Sequence, residues 1–135
     1  MSRGAAGRWN HAGTRVIYTA SSLALSALEV MASRSVLPDD YVCVAVDIPN
    51  DIPISSFSNS ELPPDWWVYP HPESSRAFGT NWANSLVSAV MVVPFSIIRK
   101  EHNYILNPVH ADFARIAFSS PEPFMFDRRL LGTSG

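Results

Sequence analysis

Charge is scarce in this chain. Asp, Glu, Lys and Arg make up 16% of its 135 residues, against the usual quarter, and Lys100 is the single lysine. With a net charge of −2 and no run of basic residues, the chain lacks the footprint of a protein that binds nucleic acid directly. A surface this poor in charge is expected to be sticky, or covered by a partner. Cysteine is nearly absent: Cys43, in Tyr-Val-Cys-Val-Ala-Val, reads as a small buried hydrophobe in a strand. One cysteine builds no disulfide framework and no metal-spaced pair, which fits a reducing cytoplasm. His11, His71, His102 and His110 lack metal-ligand spacing, so no metal is expected. Gly4, Gly7 and Gly13 form neither a phosphate loop nor a dinucleotide fingerprint, and no nucleophile elbow is present. No apolar run reaches membrane-span length, and the short segment before Arg8 is not a signal peptide.

What is present is apolar: 47% of the residues are hydrophobic, enough for a single core in one domain over residues 1–135. Residues 1–14 read as an irregular arm and 15–19 as a strand. Ser21 or Ser22 is a suitable N-cap for a helix over 23–33, with Leu25, Leu28 and Ala32 toward the core. Leu37-Pro38-Asp39-Asp40 reads as a turn. Residues 41–48 are apolar on both faces, which places them centrally in a sheet. Residues 49–73 hold six of eleven prolines and read as loop, with one short strand over 52–57 and Trp66-Trp67 packed beneath. A helix is expected over 73–84, with Phe78 and Trp82 on one face, and a strand over 87–93 that Pro94 ends. Residues 95–113 read as mostly loop with short ordered pieces at 95–98 and 103–106. Further strands are expected at 115–118 and 124–126. The fold class is therefore α/β, with a mixed or split sheet and two or three helices.

Residues 7–31 hold the chemical oddity. Glu29 lies in an apolar helix, four positions from Leu25, so it shares a face with core residues rather than with a polar stripe. A buried carboxylate needs a cation nearby or an opening to water; a solvated helix Glu is the alternative. Arg8 offers a two-pronged anion contact, or is a surface Arg stacked on Trp9. Tyr18 presents its ring to a planar ligand, or simply packs. Ser88 shares a strand face with Val90 and Val92, and its hydroxyl needs a partner, a neighbouring backbone group being the plain choice.

An ordered set of short motifs carries a resemblance. Arg8-Trp9-Asn10, Gly13-Thr14, Val16-Ile17-Tyr18-Thr19-Ala20 and Leu28-Glu29-Val30 are followed by Pro38-Asp39-Asp40-Tyr41, Asp47-Ile48-Pro49 and Leu62-Pro63-Pro64. Gly79, Trp82, Ser88 and Val93-Pro94 come next, then Asn103-Tyr104-Ile105-Leu106-Asn107-Pro108 with His110, Asp112 and Phe113, and the stretch from Phe124 to Leu130. In this order they resemble the RES-domain family, small bacterial toxins named for an Arg, a Glu and a Ser and paired with a Xre-type helix-turn-helix antitoxin. Two features depart from the family pattern. The position after Val93-Pro94, commonly Ser, is Phe95, so the family Ser is carried to Ser88. Family members usually begin with a further strand bearing a Tyr-Arg pair, upstream of where this sequence starts; a weakened, self-associating toxin is expected without it.

The resemblance implies an ADP-ribosyltransferase-like fold and a cytoplasmic enzyme that depletes NAD by cleaving its nicotinamide–ribose bond, with water or phosphate as acceptor. NAD is then the substrate, no cofactor is held permanently, and Glu29, Arg8 and Ser88 are the catalytic set. Arg8, Tyr18 and Ser88 would bind the dinucleotide. A protein ADP-ribosyltransferase, an inactive antitoxin-binding domain and a homo-oligomer are the other expectations.

Overall fold

The computed structural model describes residues 5–33 and 40–131. In chain order the elements are β1 (Ile17–Ala20), α1 (Leu23–Ser33), β2 (Val42–Cys43), β3 (Val46–Asp47), β4 (Ile54–Ser56), α2 (Glu73–Ser85), β5 (Val90–Pro94), β6 (His102–Leu106), β7 (Ala117–Phe118) and β8 (Glu122–Pro123), with short 3-10 turns between some of them. The class is α/β. One four-stranded mixed sheet runs in the order β1-β6-β5-β4, with β4 parallel to β5 and the other pairs antiparallel. Among the described residues, no helix is long and apolar enough to cross a membrane.

The strand β5 reads VMVVP and is buried at every position, as an apolar run covered on both faces must be. Alternation along a strand sends neighbours to opposite faces. Met91 and Val93 therefore join Trp9, Val16, Trp66, Trp82 and Ile105 on one side, while Val90 and Val92 join Ile52, Leu106 and Ile116 on the other. The helix α1 starts as its sequence dictates: the Ser22 hydroxyl accepts the Leu25 N–H at 3.2 Å. The helix α2 lies against Trp9 so closely that only glycine fits at position 79, where a Cβ would stand 1.8 Å from the Trp9 carbonyl oxygen.

Several sequence expectations need correction. Residues 41–48 are not a central strand. They form β2 and β3, which pair only with β8 and β7 in two-stranded ladders, leaving Val42 57% and Val44 42% exposed. Their apolar character on both faces misled because the segment runs beside the chain's C-terminal part instead of entering the main sheet. Residues 103–106, read as a short ordered piece in a loop region, belong to the inner strand β6. Residues 95–98 bend rather than extend. The last two strands are shorter than read or shifted, at Ala117–Phe118 and Glu122–Pro123. Trp66 is buried but Trp67 is not, and Cys43 is half-buried and free. The turn read at Leu37-Pro38-Asp39 and the first four residues of the arm lie outside the described residues.

Candidate functional site

The Arg8-Trp9-Asn10 turn is built from the inside. Trp9 is a core residue, stacked on Trp66 at 5.8 Å and edge-on to Phe78 at 5.9 Å. Asn10 is fully buried and answers its own polarity: its amide donates to the carbonyls of Ala5 and Thr14, both at 2.8 Å. Its Oδ1 accepts the Tyr18 hydroxyl at 2.5 Å, and the same hydroxyl accepts the Trp9 N–H at 2.9 Å. With Trp9 and Asn10 fixed inward, Arg8 between Gly7 and Trp9 is turned to the rim. Its Nη1 donates to Trp66 O at 2.6 Å and Val68 O at 2.8 Å, so the guanidinium is held by the proline-rich loop rather than stacked loose on a ring.

Glu29 arrives from α1. It shares a helix face with buried Leu25, as the four-residue spacing requires, yet the residue as a whole is exposed to solvent. The surrounding protein still takes enough hydration from the carboxylate to raise its pKa. Arg8 and a hydrogen bond from Asn103 oppose that shift. Both alternatives posed by the sequence are thus realised, a nearby cation and a path to solvent. Asn103 sits at the start of β6, opposite Ala20 of β1 and Val93 of β5, and also donates to Thr19 O at 3.1 Å.

Electrostatics link the same groups. Arg8 is shifted down, chiefly by burial, against the fields of Glu29, Tyr18 and Tyr69. Tyr18 is pushed up to about 12, mainly by burial, and feels Glu29, Arg8 and Arg76. The group thus joins a guanidinium, a carboxyl whose charged form burial disfavours and Arg8 favours, and a phenol that stays neutral at pH 7. A negatively charged ligand suits the Arg8 end, and a positive charge, present or developing, suits the Glu29 end.

Ser88 does not join them. It is 1% exposed, and its hydroxyl is saturated: it donates to Val90 O at 3.0 Å, accepts Trp82 Nε1 at 3.0 Å and meets Ser55 Oγ at 2.6 Å. It precedes β5, whereas Asn103 faces Val93 near the far end of that strand. Five extended residues separate the two ends by roughly 16 Å. The expected convergence of Ser88 with Arg8 and Glu29 fails for that reason.

The structure adds groups that the sequence reading missed as site residues. Asn103 is one; its place at the head of the Asn103–Pro108 motif is the sequence signal that could have found it. Tyr69, 75% exposed, lies edge-on to His71 at 5.5 Å. Arg99 stacks over Trp67 at 4.7 Å. A cleft of 480 Å³ runs beside the site, between the outer edge of β1 and residues 43–48. It is lined by neutral side chains such as Ser22, Ser26 and Tyr104, and by neither Arg8 nor Glu29.

Comparison with known proteins bears on this arrangement. Residues 1–127 match the family model described as RES domain. The chain is 32% identical over 129 residues to the Prs ADP-ribosylating toxin of Sphingobium sp. (strain YBL2), covering 93% of this chain and 80% of that protein. It is 34% identical over 128 residues to Toxin Res of Yersinia enterocolitica, covering 92% and 83%. Toxin Res of Pseudomonas putida is 31% identical over 127 residues, covering 92% and 85%.

Proposed function

The chain belongs to the RES-domain family, and from that premise we propose that it is a toxin that cleaves the nicotinamide–ribose bond of NAD. The observation that carries the proposal is that Glu29 and Arg8 act on each other's ionisation, with Tyr18 in the field of both. Nicotinamide leaves as a neutral ring. The C1′–N bond breaks, its electron pair goes to the ring nitrogen, and positive charge develops on the ribose as in glycoside cleavage. No acid is needed for a leaving group that is already cationic. Glu29 takes the hydrogen bond of a ribose hydroxyl and offsets the oxocarbenium charge. Arg8 holds a phosphate oxygen. The ring of Tyr18 offers an aromatic wall for the nicotinamide, while its hydroxyl stays bound to Trp9 and Asn10. Water or phosphate then attacks C1′.

NAD is substrate in this scheme, and a Xre-type antitoxin is the protein partner that restrains the cytoplasmic enzyme. Proton NMR of purified protein with NAD tests it: free nicotinamide should appear together with ADP-ribose, or with its 1-phosphate when phosphate is present. A second reading, transfer of ADP-ribose to a protein, is favoured by the name of the Sphingobium relative, an ADP-ribosylating toxin. It predicts that a protein acceptor becomes labelled in stoichiometry with the nicotinamide released.

A further inference from the structure

We propose that Arg76 and His71 complete, with Arg8, an anion subsite that takes the diphosphate of the substrate; this deepens the dinucleotide reading and rests on it. Arg76 is in the first turn of α2, and its Nε donates to Gly7 O at 3.2 Å. That carbonyl belongs to the peptide unit leading into Arg8, so the contact sets the second guanidinium beside the first. Arg8 spends only Nη1 on protein acceptors, at Trp66 O and Val68 O. Among the described residues, the remaining N–H groups of Arg8 and the two terminal nitrogens of Arg76 have no acceptor.

His71, between Pro70 and Pro72 at the mouth of α2, has a buried Nδ1 with no hydrogen-bond partner among the described residues. A buried polar atom left bare costs free energy, and a ligand offering a hydrogen-bonding oxygen would satisfy it. The charges acting on His71 are both positive, Arg8 and Arg76, and with burial they hold its imidazole below the usual histidine range. The acidic groups nearby are engaged elsewhere: Glu73 meets His11 Nε2 at 2.6 Å, and Asp65 accepts the Ser74 hydroxyl. Glu29 faces Arg8 from α1, and Tyr69 and Tyr18 border the group. Two neighbouring guanidiniums, an orphaned ring nitrogen and the positive end of a 13-residue helix together describe a seat for an anion.

The proton balance follows. In the free protein His71 is neutral at pH 7. A bound diphosphate reverses the local field, so the imidazole draws proton from solvent as the ligand enters, a fraction of one at pH 7. Affinity therefore rises as pH falls through the histidine range.

The test is calorimetric titration of ADP-ribose, whose diphosphate does not itself titrate there, into the full chain between pH 5.5 and 8. Two buffers of different ionisation enthalpy report the proton uptake. Wild type should take up a fraction of a proton at pH 7. Arg76→Gln should weaken binding about tenfold, the loss of one charged hydrogen bond, and Arg76→Lys should recover part of it. His71→Gln should abolish proton uptake and flatten the pH profile. Unchanged ADP-ribose affinity and proton uptake in both Gln variants, with NAD cleavage by wild type intact, overturns the subsite and leaves the NAD reading standing. No NAD cleavage by wild type, alongside Arg76-dependent binding of inorganic pyrophosphate, supports the anion subsite and removes the dinucleotide assignment.

Discussion

Gly79→Ala separates packing from propensity with opposite signs. Alanine is a better helix former than glycine by about 1 kcal/mol, so propensity alone predicts a more stable protein. The packing predicts the reverse. A Cβ at position 79 would stand 1.8 Å from Trp9 O, 2.6 Å from Trp9 C and 2.7 Å from Trp9 Cβ. Reaching even a 3.0 Å contact requires α2 and the Arg8-Trp9-Asn10 turn to part by about 1.2 Å. Trp9 cannot yield cheaply, because it is wedged between Trp66 and Phe78 and its N–H is held by Tyr18. Overpacking of this kind costs roughly 1–3 kcal/mol. Parting the two segments also strains the Arg76–Gly7 and Tyr18–Trp9 hydrogen bonds, worth about 1 kcal/mol each. Set against the propensity gain, the net loss is about 2–4 kcal/mol, a large share of a typical 5–15 kcal/mol stability. At a urea slope of roughly 1–3 kcal/mol/M, the unfolding midpoint should fall by about 1–2 M. NAD turnover should fall further than the folded fraction does, since Arg8 moves with the turn. A midpoint that stays put or rises would refute the close approach of α2 to Trp9.

Two other substitutions probe the site's frame. Tyr18→Phe leaves the Trp9 N–H without its acceptor and should cost about 1–3 kcal/mol in urea unfolding at pH 7. The Tyr18 phenol is raised from 10.0 to about 12 in the folded protein, so its contribution is intact below pH 10 and is lost as pH rises through 12. Wild type should shed about 2 kcal/mol over that window, and Tyr18→Phe should lack that slope; an identical alkaline slope in both would refute the burial of this hydroxyl. Ser88→Ala strands the Trp82 indole N–H and should lower the unfolding midpoint while leaving NAD turnover per folded molecule unchanged. Lost turnover at full stability would return Ser88 to the ligand.

Much of the frame was legible in the sequence because it is local. The helix Leu23–Ser33 follows from its apolar spacing and its Ser22 cap, and Glu29 stood out because it breaks that spacing. The buried strand Val90–Pro94 announced itself as an unbroken apolar run. What was hidden depends on distant pairing. His102–Leu106 has no alternating pattern, since Ile105 and Leu106 are buried on opposite faces, and becomes an inner strand only because β1 and β5 flank it. Residues 41–48 have the composition of an inner strand but meet only the chain's C-terminal part. Arg76 reads as a solvated helix residue until its bond to Gly7, 69 positions away, sets it beside Arg8. Ser88 failed for the opposite reason: a short motif gave its place in the chain, not the end of the strand at which it lies.

The central claim is that the Glu29 charge, opposed to Arg8, stabilises positive charge on a ribose. Glu29→Gln keeps the shape and removes the charge, and because the carboxylate is partly desolvated the variant should fold at least as stably at pH 7. The deciding measurement is nicotinamide release from NAD by the two purified proteins, matched for folded fraction. The account predicts release by wild type and a loss of about a hundredfold or more in the variant. Equal turnover would contradict it.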